Sequence, residues 1–234
     1  MNARLRIAVL DYGSGNLHSV CRALDVAGAQ VELSSAEGSA TNTITACDGL
    51  VVPGVGAFAA CMAGLRAVGG VELIQDWWAA RRPLLGICVG HQVLFAAGTE
   101  YSENAQSSTP GVGVLPGVVE KLHAIRLPHL GWDTVQPPSD SAMFAGLAGE
   151  RFYFVHSYAV RELPAVSELS DVAVTWAEHE AERFVAAVEA GARWSTQFHP
   201  EKSGAAGARL LQNWLARVGE HRESANTNDT KRGR

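Results

Sequence analysis

The chain is short of the features that mark special classes of protein. Its four cysteines, Cys21, Cys47, Cys61 and Cys88, form no CxxC pair, so they lay out no disulfide framework and a reducing compartment is expected. Cys88 and His91 have CxxH spacing, but no two further ligands stand close enough to complete a zinc site, and neither metal nor cofactor is expected. No apolar run approaches the roughly 20 residues that a membrane helix requires. The N-terminal MNARLRIAVLDYG carries only a short apolar stretch ending at Asp11, which fails as a signal peptide and reads as a first strand. Positive charge is not in excess: 19 Lys and Arg against 24 Asp and Glu leave a net charge of −5, giving no electrostatic reason to bind nucleic acid or anionic lipid. No internal repeat is evident. These absences leave small molecules and proteins as partners and a cytoplasmic location as the expectation.

What is present is one domain's worth of core. With 234 residues, 47% hydrophobic and 18% charged, the balance is that of a single globular unit, expected over residues 1–218. From 219 to 234 the sequence GEHRESANTNDTKRGR is almost devoid of apolar residues and predicts a flexible polar tail. The first half alternates β-rich runs with helical stretches: RIAVLDY then Leu17 to Ala27, DGLVVP then Phe58 to Val68, and PLLGIC then Val89 to Ala97. That order predicts an α/β fold with an open, mainly parallel central sheet flanked by helices. Leu50 to Val52 and Leu84 to Ile87 are continuously apolar, as central strands covered on both faces are. The second half shows β-like segments near Arg151 to Val155, Val172 to Trp176, Phe184 to Ala190 and Arg193 to Phe198, whose short connections fit antiparallel pairing at the sheet's edge or flank. A final helix from Gly204 to Val218 spaces Leu210, Leu211, Trp214 and Leu215 for docking.

The chemistry gathers on one cysteine. In LLGICVGHQ a buried strand enters Gly86-Ile87-Cys88-Val89-Gly90 and then a helix, the glycine-flanked pattern of a nucleophile elbow. Such a bend lifts the side chain above the carboxyl edge of the sheet, where open α/β sheets bind ligands. A helix N-terminus there favours thiolate over thiol. Alone, Cys88 reads equally well as a buried structural cysteine. His199 and Glu201, in STQFHPEKSG, are two residues apart and would share a face of extended chain, with Pro200 stiffening the spacer. Nucleophile, acid/base and orienter in that order make an acyl-transfer triad, although a lone His199 is more often a surface residue. An oxyanion site would draw on the N–H of Val89 and on the turn Gly54, Val55 and Gly56, in a PGVG segment that could equally be a plain turn.

These motifs resemble the class I (triad) glutamine amidotransferases: GICVGHQ their nucleophile elbow, PGVG their oxyanion strand-turn, QFHPE their His-x-Glu pair. More narrowly, VLDYGSGNLHSV, PGVGAF, PHLGW, FYFVHSY and QFHPEKSG are similar to the glutaminase subunits of imidazole glycerol phosphate synthases, over roughly Ile7 to Trp214. The resemblance implies a flavodoxin-like class I glutaminase fold and hydrolysis of glutamine by Cys88, His199 and Glu201. It also implies delivery of ammonia, in histidine biosynthesis, to a separate (β/α)8 synthase subunit in a heterodimer. It further implies glutamine contacts from Gly56, Gln92, Glu100, Ser157 and Tyr158, and a partner interface or ammonia path near Asn16, Arg126, Trp132 and Lys202. Asp133 and His91 depart from the family's usual Asn and Met. Rival readings are a glutaminase serving a different synthase, a regulatory homologue that keeps only the fold, and a nucleotide-binding module at DYGSGNLHSV. In the last, His18 stands where the fingerprint has its third glycine.

Overall fold

The computed structural model describes residues 4–100, 108–163 and 172–232, the side chains of 228–232 excepted. The alternating first half forms β1 (Arg6–Leu10), α1 (Leu17–Ala27), β2 (Gln30–Ser34), α2 (Ala40–Thr45), β3 (Gly49–Gly54), α3 (Phe58–Ala67), α4 (Gly70–Ala79) and β4 (Leu84–Cys88). A single helical turn, α5 (Val89–Gln92), follows, and then β5 (Phe95–Gly98), β6 (Thr109–Pro110), β7 (Leu115–Lys121) and β8 (His129–Thr134). The remainder is β9 (Arg151–His156), β10 (Tyr158–Val160), β11 (Val172–His179), β12 (Glu182–Ala190), β13 (Arg193–Thr196), a 3-10 turn at Pro200–Lys202 and α6 (Gly204–Arg232).

Seven strands form the main sheet in the order β11-β12-β13-β4-β3-β1-β2. Its five members from β13 to β2 run parallel, and β12 and β11 add on antiparallel, as the short late connections predicted. β3 and β4 are buried at every residue because helices cover both faces, which accounts for their unbroken apolar runs. The placement of β13 matters most for the site. Thr196 lies opposite Ile87, so the last strand of the sheet ends beside the cysteine at the end of β4. A second sheet, β10-β7-β5-β6, and the antiparallel pair β8-β9 complete the molecule.

Two sequence expectations fail locally. The helix expected from Val89 to Ala97 stops at Gln92, because Phe95–Gly98 pairs with β7 and β6 instead. Ladder hydrogen bonds and burial of Phe95 override a weak helical preference. At the other end, α6 does not stop at Val218 but continues to Arg232. Leu210, Leu211, Trp214 and Leu215 are buried as expected, and each such apolar side chain contributes about 1.5–3 kcal/mol. Beyond them Arg222 reaches Asp48, 3.4 Å away, so part of the polar segment is tied to the body of the protein. Residues 233 and 234 of the expected tail lie outside the described residues. Among the described residues no single helix is long and apolar enough to cross a membrane; α3 and α4 meet that composition only as a pair bent by 88°.

Candidate active site

The bend at Cys88 is as tight as the glycine pattern implied. Cys88 has φ 57° and ψ −113°, a conformation that side-chain-bearing residues avoid and that costs of order 1–3 kcal/mol. Its neighbours are glycines for want of space: a Cβ on Gly90 would lie 1.8 Å from the carbonyl oxygen of Val52, and one on Gly86 2.8 Å from that of Gly90. A Cβ on Gly54 would meet the Gly90 nitrogen at 2.5 Å, so the two Gly-rich turns pass each other at backbone distance. Gly90→Ala is therefore expected to lose about 4 kcal/mol or more, the range reached when backbone itself must move, read as a fall in the urea midpoint. A variant as stable as the parent would contradict this packing.

His199 and Glu201 meet by a different local route from the one expected. His199 is extended (φ −101°, ψ 96°), but Pro200 then opens a 3-10 turn, a position that suits its fixed φ and missing N–H. The turn, rather than a shared strand face, brings Glu201 Oε1 to 2.7 Å from His199 Nδ1. Both side chains are almost wholly buried, and the main chain of His199 is held at both ends, donating its N–H to Tyr153 and its carbonyl accepting from Ser203. Burial alone would lower the imidazole's pKa. Hydrogen bonds and charge from Cys88 and Glu201 outweigh it and raise His199 to about 9. The imidazole thus pairs with the carboxylate on one side and lines the same cleft as the cysteine, whose charge favours its protonation. The one-turn helix α5 offers only a stub of dipole to the sulfur.

Cys88 opens into a cleft of about 470 Å³, which also gathers Val55, Gly56, Val89, Gln92, Glu100, Ser157, Tyr158, His199 and Lys202. Sequence reasoning missed three further lining residues, Lys121, Val155 and His156. Glu100 does more than line the wall: its carboxylate accepts the N–H of Phe58 at 2.7 Å, satisfying an open donor at the start of α3. No local signal marks such a cap. The expected oxyanion donor Val55 is turned elsewhere. Its N–H donates to Ser14 Oγ at 3.2 Å, and its carbonyl accepts from the same hydroxyl at 2.8 Å. The thiol of Cys61 also reaches that carbonyl, at 3.4 Å.

The four residues expected at an interface divide into groups. Trp132, half exposed, meets Tyr153 edge to face at 6.0 Å, and the ammonium of Lys202 lies 5.8 Å from the same tyrosine ring. Lys202 also lines the cleft, and the ring of Tyr153 is 6.5 Å from that of His199. Arg126 stands apart, paired with Glu180 at 2.5 Å, and Asn16 is exposed at the start of α1.

The histidine that departs from the family pattern, His91, points inward. Its Nδ1 is 2.7 Å from Ser195 Oγ, and complete burial lowers its pKa to about 3. A second group of buried imidazoles backs the Ser157–Tyr158 wall. His156 Nδ1 donates to the Tyr158 carbonyl at 3.1 Å, and His129 Nδ1 lies 3.2 Å from His156 Nε2. Burial first, and neighbouring imidazoles second, bring His156 to about 3 and His129 to about 4.

A strained cysteine at the end of a parallel strand, sharing a cleft with a histidine that a carboxylate orients, is the apparatus of acyl transfer. The class I glutamine amidotransferase family model matches residues 8–218, and the chain belongs to that family. Among curated proteins it is similar to the imidazole glycerol phosphate synthase subunit HisH of Nocardia farcinica, 56% identical over 215 residues that cover 91% of this chain and 98% of that one. The corresponding HisH of Corynebacterium diphtheriae is 54% identical, over 90% of this chain and 98% of its own. The fold is shared with a crystal structure of a glutamine amidotransferase, TM-score 0.68 and 21% identity, covering 91% of this chain and 98% of that one.

Proposed function

We propose that this chain is the glutaminase subunit of an imidazole glycerol phosphate synthase, acting in the cytoplasm with glutamine as substrate and a (β/α)8 synthase subunit as partner. Residues 1–218 form the glutaminase unit. The observation that carries the chemistry is the Cys88–His199–Glu201 line at the floor of a cleft of suitable size. The similarity to HisH proteins over nine-tenths of the chain supports the choice of synthase.

In this reading the Cys88 thiolate attacks the side-chain amide carbon of glutamine, and His199 gives its proton to the departing nitrogen, releasing neutral ammonia. Water then attacks the thioester with His199 as base, and glutamate leaves. Glu201 holds the imidazole throughout, Val89 offers an oxyanion donor, and the turn Gly54, Val55 and Gly56 offers the other once the Val55 N–H leaves Ser14. Gly56, Gln92, Glu100, Ser157 and Tyr158 hold the substrate, with Glu100 available to its ammonium group. Trp132 and Lys202 flank the path of ammonia toward the partner, with Asn16 and Arg126 at the periphery of the contact.

The Ser14 contact bears on regulation. An oxyanion donor whose N–H is spent on a neighbouring hydroxyl stabilises no transition state, and loss of one such donor costs about 10²–10³ in turnover. The isolated chain is therefore expected to hydrolyse glutamine slowly and to accelerate by about that factor when its synthase partner and the partner's ligand are added. Affinity capture of the native partner followed by a coupled glutamate assay tests both halves. Full activity of the isolated chain, or capture of an unrelated synthase, would refute the corresponding half.

A further inference from the structure

Gln197 precedes the histidine motif by two residues, is wholly buried and has no part in the triad scheme. Its amide nevertheless lies in a chain of polar contacts with a single possible direction. The chain is rooted in the main-chain carbonyl of Tyr158, which can only accept. Gln92 must therefore turn its amide nitrogen toward it, and Nε2 is 2.8 Å away. The other hydrogen of that nitrogen goes to Gln197 Oε1 at 2.9 Å. With its oxygen so engaged, Gln197 presents its own Nε2 to the sulfur of Cys88, at 3.9 Å, the outer reach of an N–H···S contact. The root is itself held, since His156 Nδ1 donates to the same carbonyl at 3.1 Å. One carbonyl on the wall of the cleft thus settles the orientation of both glutamines.

We propose that Gln197 is a positioning residue for the nucleophile: its amide, oriented through Gln92 from the Tyr158 carbonyl, supplies a second N–H donor to the Cys88 thiolate beside His199. This rests on the assignment of Cys88 as the nucleophile. Two donors from different directions fix the sulfur over the cleft, where His199 alone would leave it free to swing. The contact is strongest for the charged sulfur, before attack and again when the thiolate departs from the acyl-enzyme, and weak for the neutral thioester. Gln92 joins the two ends, because with Nε2 spent on two acceptors its oxygen is the polar atom left for the cleft. The wall that carries Ser157 and Tyr158 is thereby linked to the reactivity of the cysteine.

The test reads the sulfur directly. Cys88 is alkylated with iodoacetamide between pH 5 and 10 and followed by peptide mass spectrometry in the parent, Gln197→Glu and Gln197→Met proteins. The titratable and charged groups facing Cys88 are unchanged in both variants: His199 after β13, Tyr12 after β1, Cys61 on α3, and Glu100, Lys121, His156 and Lys202 across the cleft. In Gln197→Glu a carboxylate replaces the donor, and the alkylation midpoint is expected to rise by about one pH unit or more, with alkylation at pH 7 slowed roughly tenfold. Gln197→Met keeps the volume, removes the donor without adding charge, and is expected to shift the midpoint the same way by less. In the complex with the synthase, kcat should fall at least about tenfold while KM changes little. A folded Gln197→Met protein whose alkylation profile coincides with the parent's would overturn the proposal, and it decides the matter if Gln197→Glu does not fold. If the parent complex lacks glutaminase activity while the alkylation shift is present, the positioning role stands and the functional assignment falls.

Discussion

Replacing Cys88 by alanine is expected to reduce glutamine-dependent turnover by about four orders of magnitude or more, the scale seen when a covalent nucleophile is deleted, while leaving synthesis from ammonium salts in the assembled complex intact. The split follows from the division of labour. In the proposed scheme the cysteine makes ammonia, and the partner consumes it whatever its source. Loss of both activities would show that Cys88 supports the assembly rather than the hydrolysis. The same position tests the backbone. At φ 57° and ψ −113° any side chain is strained, so alanine does not relieve the bend, whereas glycine does. Cys88→Gly should therefore be about 1 kcal/mol more stable than Cys88→Ala, measured by urea unfolding. Equal stabilities would mean that the elbow stores no strain.

Acid should destabilise the fold steeply. In an unfolded chain histidines take up protons near pH 6.5, whereas His91 and His156 do so only near pH 3 and His129 near 4 when folded. Below pH 6.5 the unfolded state therefore binds up to three more protons, and stability falls as pH drops toward 4. Each group contributes up to about 1.4 kcal/mol per pH unit, or about 4 kcal/mol per unit together. Against a total of about 5–15 kcal/mol this predicts acid unfolding near pH 5. His199 has the opposite sign. Its pKa is raised to about 9, so its contribution is complete below pH 6.5 and is lost as pH climbs through 9. Because the His199 contribution is lost progressively from pH 6.5 to 9, maximal stability is expected near pH 6.5 to 7. Urea titrations at pH 7, 6 and 5 measure the slope, and His156→Asn should flatten it. Unchanged stability from pH 7 to 5 would contradict neutral, buried imidazoles.

The parts of the site that were legible in the sequence are those fixed by short-range geometry. Gly86 and Gly90 mark the elbow because no side chain fits, and Pro200 marks the rigid step from His199 to Glu201. The order of apolar runs was enough for the parallel sheet, since doubly covered strands have few alternatives. What was hidden depends on contacts between distant segments. Glu100 caps a helix 42 residues away, Ser14 holds Val55 41 residues on, and Lys121, Val155 and His156 reach the cleft only through the second sheet and the β8-β9 pair. The early end of α5 has the same origin. Nothing within Val89 to Ala97 forbids a helix, and it is the pairing with β7, far along the chain, that draws Phe95 into a strand. The continuation of α6 beyond Val218 was missed because composition, in the absence of a partner such as Asp48 for Arg222, argues for coil.

The insertion of β13 between β4 and β12 also orders events in time. During synthesis Cys88 emerges well before His199, and the place beside β4 stays open until β13 follows. In the proposed scheme a chain cut before β13 therefore carries an idle thiol and wastes no glutamine. On that scheme the seating of β13 beside β4 is the step that arms the cysteine.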